Sequence, residues 1–381
     1  MKKVKLGDVC KIQSGGTPSR GNLNYWNNGN IPWVKISDIK EKHLSRTEEF
    51  ITQEGLANSS AKIFPKETIL YTIFATLGEV SILEIAATTN QAIAGLQIID
   101  ENICKDYLYY YLISLKPFVN EIGRGVAQNN INMQILRNFE IPLPSLEEQK
   151  AIARKLDKVS GLIEKRKTQL EKLSELVKSR FIEMFGDVIN NDRNWPMATM
   201  GDVAEIKIGP FGTLLHKEDY IVGGHALVNP SHIVDGKISV DISLTISDEK
   251  YEELSAYHLK IDDIVLGRRG EMGRCAVVKE EGLLCGTGSL IIRPNDRLKP
   301  YFLQTIISNP TYKKIIEDKA VGVTMMNLNV PIVESLRVPM LPIALQNDFI
   351  SFMEQVDKSK YIEKISVRVL TIFWQKVYIW K

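Results

Sequence analysis

The stretch Ile141-Pro142-Leu143-Pro144-Ser145-Leu146-Glu147-Glu148-Gln149 decides how this chain is organised, because a proline-bounded stop passes directly into the start of a long helix. Ser145 is a good N-cap, and Glu147, Glu148 and Gln149 set side-chain acceptors among the unpaired amides at the positive end of the helix dipole. Ser145 with Glu148 spells a capping box. Beyond it Ile152, Leu156, Val159, Ile163, Leu170, Leu173, Val177 and Met184 follow a heptad seam, with Arg166 as a polar break. The spacing predicts a helix over 146–185, ended by Gly186 as C-cap. At about 1.5 Å per residue this is a rod of roughly 60 Å, too long to fold back into one small domain. Its apolar face needs a partner. Phe349, Met353, Val356, Ile362, Ile365, Val369 and Ile372 offer one in a second long helix, which is expected to pack antiparallel to the first.

What precedes each helix is also repeated. Leu6-Gly7-Asp8-Val9 recurs as Met200-Gly201-Asp202-Val203, and Gly16-Thr17 as Gly212-Thr213. Val34, Ser37 and Ile39 match Val228, Ser231 and Ile233; Ile69-Leu70 and Leu77-Gly78 match Ile264-Val265 and Met272-Gly273. Tyr107 to Ser114 aligns with Tyr301 to Ser308, Gly125-Val126 with Gly322-Val323, Asn130-Ile131-Asn132 with Asn327-Leu328-Asn329, and Pro142 and Gln149 with Pro339 and Gln346. A nearly constant order and offset mark a tandem duplication. Within the first copy, Ile31 to Ile39, Thr68 to Phe74 and Val80 to Ile85 read as strands, and Tyr107 to Leu115 as a helix stopped by Pro117. The expected fold class is α+β: two similar mixed α/β domains with small twisted, largely antiparallel sheets, over 1–144 and 187–341. Long helices over 145–186 and 342–381 form an antiparallel coiled coil with pseudo-two-fold symmetry.

The 381 residues fit two or three domains of roughly 150 each. A hydrophobic fraction of 44% supplies ample core and excludes a disordered or collagenous chain. With 48 Lys plus Arg against 46 Asp plus Glu the net charge is +2, so affinity for a polyanion must come from local patches. Cys10, Cys104, Cys275 and Cys285 form no Cys-x-x-Cys pair, which argues against a zinc knuckle and a disulfide framework. The basic start lacks an apolar segment after it, and no stretch approaches the roughly 18 apolar residues of a membrane span. A soluble, cytoplasmic protein without membrane attachment is expected.

The sequence offers no phosphate loop, His-Glu-x-x-His motif or nucleophile elbow. Asn309-Pro310-Thr311-Tyr312 imitates the short motif of amino-methyltransferases, but no glycine-rich cofactor loop precedes it and a helix stop explains it. Asp263 with Glu271 imitates a nuclease pair, yet Gly273 stands where a lysine belongs, and a turn between strands accounts for it. His216, His225 and His232 fit no common ligand spacing. The chain reads as a binder with no catalytic residue, metal or cofactor of its own.

Duplicated units on a rod suit double-stranded DNA, whose half-sites lie about one helical turn apart. Ser14, Gly16 and Thr17 in one copy and Thr213 in the other sit in glycine-rich loops where backbone approaches phosphate. Lys11, Arg20 and Lys207 flank them, and Lys35 lies nearby. Arg124 offers a guanidinium for guanine, and Gln128, Asn129 and Asn130 offer amides for adenine; Thr324 and Asn327 are their counterparts. Arg268, Arg269 and Arg274 make a basic turn in the second copy, whereas Thr72 to Glu79 has no basic residue. The copies share a frame and differ at contact positions.

Leu6-Gly7-Asp8-Val9, the segment Ile31 to Ile39 and the block Ile141 to Gln149 resemble the specificity subunit of type I restriction-modification enzymes, over nearly the whole chain. The second block, Val338 to Gln346, keeps the frame without the paired glutamates. The resemblance implies two target-recognition domains reading a bipartite, asymmetric DNA sequence, with paired helices setting the spacer. It implies a non-catalytic subunit that docks two methyltransferase subunits using S-adenosylmethionine, which in turn associate with restriction subunits using ATP and Mg. A free-standing DNA-binding regulator or coiled-coil scaffold is the alternative reading, and a self-sufficient methyltransferase a weaker third. After Ile365 the chain is β-branched, aromatic and acid-free, unlike the first copy, which suggests a shortened or exchanged end and disturbed helix pairing.

If Arg124 grips a guanine, Arg124→Ala relaxes recognition in one half-site by about 1 to 3 kcal/mol in competition binding. A loss spread evenly over all sequences marks it instead as a phosphate contact.

Overall fold

The structure, a computed structural model, describes residues 2–123, 130–211, 214–270, 272–322 and 327–378. The chain divides into two compact units, Met1–Thr168 with Lys364–Lys381, and Gln169–Glu363.

The first unit runs β1 (Lys3–Lys5), α1 (Leu6–Val9), β2 (Cys10–Ser14), β3 (Ile31–Val34), β4 (His43–Leu44), β5 (Glu49–Ile51), α2 (Gln53–Ala57), β6 (Ile69–Thr72), β7 (Val80–Leu83), β8 (Thr88–Thr89), β9 (Ile93–Ile98), α3 (Lys105–Ser114), α4 (Lys116–Gly123), α5 (Met133–Arg137) and β10 (Glu140–Pro142). α6 (Leu146–Phe185) begins in this unit. β1 pairs antiparallel with β10. The main sheet has the order β2-β9-β6-β7-β4, antiparallel except where β4 joins β7, and a smaller sheet has the order β5-β3-β8. β6 is buried on both faces: Ile69 and Tyr71 enter the core under α3, and Leu70 the core against Val34, Leu44 and Phe64.

The second unit repeats this plan with β11 (Met197–Thr199), α7 (Met200–Val203), β12 (Ala204–Ile208), β13 (His225–Val228), β14 (Ile233–Val234), β15 (Lys237–Ile238), β16 (Thr245–Ile246), α8 (Asp248–Glu253), β17 (Ile264–Gly267), β18 (Cys275–Val277), β19 (Leu284–Cys285), β20 (Ser289–Pro294), α9 (Pro300–Ile307), α10 (Pro310–Lys319), α11 (Val330–Glu334) and β21 (Arg337–Pro339). α12 (Ile343–Tyr378) begins here. β11 pairs with β21, the main sheet has the antiparallel order β12-β20-β17-β18, and β16-β13-β19 forms the smaller one. β17 divides its side chains as β6 does, with Ile264 and Leu266 in one core and Val265 in another. β3–β8 and β13–β19 are the matching parallel pairs.

The expected strands exist but are shorter. β3 stops at Val34 because residues 36–38 coil into a 3-10 turn, with Asp38 accepting from the Lys35 amide at 3.0 Å. The helix after β9 ends at Ser114, and Pro117 then lies in the first turn of α4, where its missing N–H is no loss. Asn309-Pro310 acts in the same way, with Asn309 capping α10. Matched cap to cap, from Cys104 and Lys299, Tyr107 corresponds to Phe302, one residue away from the sequence alignment with Tyr301.

α6 has the expected bounds. The Ser145 amide donates to Glu148 Oε2 at 2.9 Å, the Glu148 amide to Ser145 Oγ at 3.4 Å, and Gly186 ends the helix with φ +73°. In the second unit α6 and α12 run antiparallel: Arg180 lies over Phe352, while Phe185 further along meets Phe349. Phe181, Phe185, Phe302 and Phe349 form one aromatic cluster. In the first unit Trp374 packs on the core and its Nε1 donates to Ser160 Oγ at 3.1 Å, and α12 continues unbroken to Tyr378.

The face of α12 differs from the expected one. Ile362, Ile365, Val369 and Ile372 are 63, 45, 58 and 44% exposed. The half-buried line continues from Met353 and Val356 through Lys360, Glu363, Val367, Leu370 and Trp374. A helix keeps one seam at three- and four-residue steps whatever residues fall on it, and the β-branched residues lie off that line.

A buried glutamine fastens each long helix to its own unit. Gln149 Oε1 accepts from the Cys104 amide at 2.8 Å, while its Nε2 donates to Asn102 O at 2.8 Å and Pro144 O at 3.0 Å. Gln346 accepts from the Lys299 amide at 2.9 Å and donates to Arg297 O at 3.3 Å and Leu341 O at 2.8 Å. Gln149→Leu and Gln346→Leu each strand one amide and two carbonyls, so each should cost roughly 2 to 4 kcal/mol, read as a lower urea midpoint. Gln355→Leu, on an exposed face of α12, should shift it far less.

Candidate nucleic-acid interface

In the first unit the glycine loop after β2 turns inward. The Gly15 and Gly16 amides donate to Ile93 O at 3.0 Å and Thr89 O at 2.8 Å, and Gly16 O accepts from Trp33 Nε1 at 3.0 Å. A Cβ on Gly15 would sit 2.0 Å from Thr89 Oγ1, and one on Gly16 would sit 2.3 Å from the Ser60 carbonyl carbon. The close approach that suggested a phosphate contact is therefore made to the chain's own backbone. Gly209 packs in the same way in the second unit: its amide donates to Ser289 O at 3.0 Å, and a Cβ would meet Gly286 O at 2.1 Å. Ser14 is half-buried opposite Ala94, and Thr17 Oγ1 donates to Gln91 Oε1. Lys11 is exposed on β2.

Arg20 and Lys35 come together around two carboxylates. The Arg20 guanidinium lies 3.7 Å over the Trp26 ring and 4.7 Å over Trp33, with Nη1 2.5 Å from Glu49. Lys35 Nζ is 2.6 Å from Glu48 and 3.3 Å from Glu49. The hydrogen bond from Arg20 holds the Glu49 carboxyl below its ordinary range, and that from Lys35 does so for Glu48. The Glu48 bond in turn raises the Lys35 ammonium. Two cations and two anions at this range nearly cancel beyond a Debye length, so this corner supplies stacking and fixed geometry with little net field.

The second unit carries its charge elsewhere, and the backbone ladder shows where. Gly267 N donates to Arg274 O at 2.8 Å, Arg268 N to Gly288 O at 3.0 Å, and Leu328 N to Arg268 O at 3.1 Å. The first unit repeats these bonds as Thr72 N to Glu79 O at 3.0 Å, Ile73 N to Ala92 O at 2.8 Å, and Ile131 N to Ile73 O at 3.1 Å. Arg268 therefore takes the place of Ile73, Arg274 that of Glu79, and Asn327 that of Asn130. Gly78 and Gly273, with φ of +80° and +75°, turn both hairpins. Glu79 is held by Lys116 at 2.5 Å, whereas Arg269, in the second unit's turn, is exposed. The ladder brings Arg268 and Asn327 together; Lys207 lies apart on β12 with Nζ 5.5 Å over the Tyr257 ring. Arg124, Gln128, Asn129, Thr213 and Thr324 lie outside the described residues.

The imitators of catalytic groups are structural. Asp263 is buried and takes a two-bond grip from Arg293, both bonds at 2.7 Å. His216 is exposed, His232 is buried with Nδ1 2.7 Å from Leu227 O, and His225 stacks on Tyr251 with Nε2 3.1 Å from Asp248. Burial pushes the Cys10 thiol up to about 12, the Cys275 thiol up to about 11, and Cys285 upward as well, so none ionises near neutrality. Among the described residues no three His, Cys, Asp or Glu side chains group to hold a metal, and no helix is long and apolar enough to cross a membrane.

A family model, the type I restriction modification DNA specificity domain, matches residues 1–174 and 192–369. The chain is similar to the type I restriction enzyme MjaIX specificity subunit of Methanocaldococcus jannaschii, 32% identical over 229 residues that cover 55% of this chain and 52% of that protein. It is also similar to the EcoR124I/EcoR124II specificity subunit of Escherichia coli, 31% identical over 165 residues covering 41% of this chain and 40% of that one. These alignments span about half of each relative or less. A longer alignment, to the EcoBI specificity subunit of Escherichia coli, is 20% identical and covers 93% of this chain and 78% of the other. In fold, the chain is similar to a crystal structure of the type I restriction-modification system S subunit from M. genitalium, with a TM-score of 0.57 at 16% identity, covering 99% and 94% of the two chains.

If these surfaces meet DNA, Arg269→Ala should reduce the logarithmic salt slope of binding by about 0.9 for one lost phosphate contact. Lys35→Ala, which removes a charge already matched, should leave the slope unchanged; titration at several salt concentrations reads both.

Proposed function

The chain belongs to the family of type I restriction modification DNA specificity domains, and from that premise we propose that it is the DNA-recognition subunit of a type I restriction-modification system. Each unit reads one part of a bipartite, asymmetric target in double-stranded DNA, and the long helices set the distance between the parts. The chain contributes recognition and assembly. It docks two methyltransferase subunits, which use S-adenosylmethionine, and with them restriction subunits, which use ATP and Mg. The complex works in the cytoplasm.

The observation that carries this reading is the matched ladder with unmatched side chains. The two units hold the same backbone positions by the same hydrogen bonds, yet place Ile73 and Glu79 in one and Arg268 and Arg274 in the other. One frame with different groups at equivalent sites is what reading two different sequences requires. A free-standing regulator is not favoured, because the family match includes both units and most of both long helices.

Methylation-sensitive sequencing of host DNA tests the proposal. Modified adenines are expected in one two-part motif with a fixed gap, and that pattern should vanish when the coding sequence is deleted. Methylation unchanged by the deletion would falsify the assignment.

A further inference from the structure

The turns joining β6 to β7 and β17 to β18 are built alike and charged differently. In each, a lysine of the helix after α3 or α9 packs against the turn glycine: a Cβ on Gly78 would lie 3.2 Å from Lys116 Cγ, and one on Gly273 would lie 2.7 Å from Lys313 Cγ. In the first unit Lys116 Nζ meets Glu79 Oε1 at 2.5 Å, so the lysine is matched within the unit. In the second unit the ladder puts Arg274 where Glu79 stands, since Gly267 N donates to Arg274 O as Thr72 N does to Glu79 O. The lysine keeps its place while its carboxylate becomes a second cation. Among the described residues Lys313 makes no ion pair.

Arg274 and Lys313 line one hollow of about 270 Å³, bounded by the β14–β15 turn at Asp235 and Gly236, the β17–β18 turn, and Ser308 at the end of α9. The exposed Asp235 is the one carboxylate of this lining among the described residues. Gln304 of α9 holds the walls together, its Nε2 donating to Gly236 O at 2.7 Å and to Cys275 O at 3.2 Å. Walls fixed before a ligand arrives lose little freedom in binding it.

A pocket for a drug-sized ligand runs from about 300 to 1,000 Å³, so this hollow suits one small group. Its two cations and the Ser308 hydroxyl call for an anion: a guanidinium fork matches phosphate oxygens two at a time, and an ammonium adds a point charge. Arg269, on the same turn as Arg274, is exposed and carries positive charge beyond the hollow. That suits an anion repeated along a strand better than an isolated carboxylate. We propose that Lys313 and Arg274 form a phosphate clamp that takes one backbone phosphate of the DNA bound by the second unit. The Glu79–Lys116 pair occupies the equivalent place in the first unit, so the clamp serves one half of the target. The inference rests on the DNA-recognition reading and adds a contact, its chemistry and the residues that make it.

The test uses the full chain with its methyltransferase partners and the two-part duplex that methylation sequencing identifies. Single phosphates of that duplex are replaced, one at a time, by uncharged methylphosphonates. In the wild type, one such replacement within one half should weaken binding at least fivefold. Lys313→Gln should weaken binding of the unmodified duplex by a similar factor, become indifferent to that methylphosphonate, and keep the base preferences. Arg274→Gln should behave alike, whereas Lys116→Gln should leave the methylphosphonate pattern unchanged. Should melting show that Arg274→Gln does not fold, Lys313→Gln decides. If the wild type binds no two-part duplex, the DNA reading falls and this inference with it. If it binds one and folded Lys313→Gln stays as sensitive as the wild type to every methylphosphonate, only the clamp is overturned. The clamp is overturned equally if inorganic phosphate raises the melting temperature through Lys313 while DNA binding ignores the substitution, which assigns the hollow to a free anion. Loss of methyltransferase subunits from Lys313→Gln on gel filtration would assign it to a protein carboxylate and overturn the clamp as well.

Discussion

The constraint on which each unit depends is the one buried carboxamide at the start of its long helix. Gln149 and Gln346 are fully buried, and each satisfies an amide and two carbonyls at once. A carboxamide offers a carbonyl acceptor and two N–H donors in one rigid plane. In both units the amide it accepts from belongs to the residue capping the helix after the last main-sheet strand, Cys104 or Lys299. The long helix is thus tied to α3 or α9 of its own unit, and a shift of either element breaks two bonds together. A leucine at that position would hold the two by area alone, which is stabilising but indifferent to rotation.

Above that clamp, the doubly buried strands β6 and β17 keep the frame fixed while the loops vary. Side chains on both faces of each strand are sealed in separate cores, so register is determined from two sides. The hydrogen bonds leaving the ends of these strands are then the same in both units even where the side chains are not. Ile73 and Arg268 differ in charge, size and desolvation cost, and yet the backbone at both accepts from the residue after an asparagine at 3.1 Å. A frame specified by buried strands and glutamine clamps leaves the residues at its strand ends free to change.

The sequence was readable where the physics is local. Ser145, Glu148 and Gly186 bound α6 because capping depends on four or five neighbouring residues. The duplication was visible because the same residues must recur wherever the same turn, cap or clamp is built, as Gln149 and Gln346 do. Three things were not legible. The outward face of α12 misled because β-branched residues look apolar whatever side they occupy, and the seam is fixed by its start at Phe349. The inward contacts of Gly15, Gly16 and Gly209 were hidden because a glycine required by the protein's own backbone reads the same as one required by a ligand. The one-residue slip between Tyr107 and Tyr301 arose from matching tyrosines, whereas packing matches Tyr107 with Phe302.

The charge arrangement follows from the same separation of frame and tip. A net charge of +2 cannot draw a polyanion from a distance, and in the first unit Glu48 and Glu49 cancel the obvious cations. A protein whose field is weak in the large gains little from non-specific attachment, which is driven by counterion release. Short-range groups discriminate in proportion to how dry and how fixed they are, because an unpaired donor in a recess penalises the wrong partner more than it rewards the right one. Arg268 is 5% exposed and held by backbone bonds on both sides, where Arg269, one residue away, is exposed. Burial alone sets apart two arginines that follow one another at the end of β17.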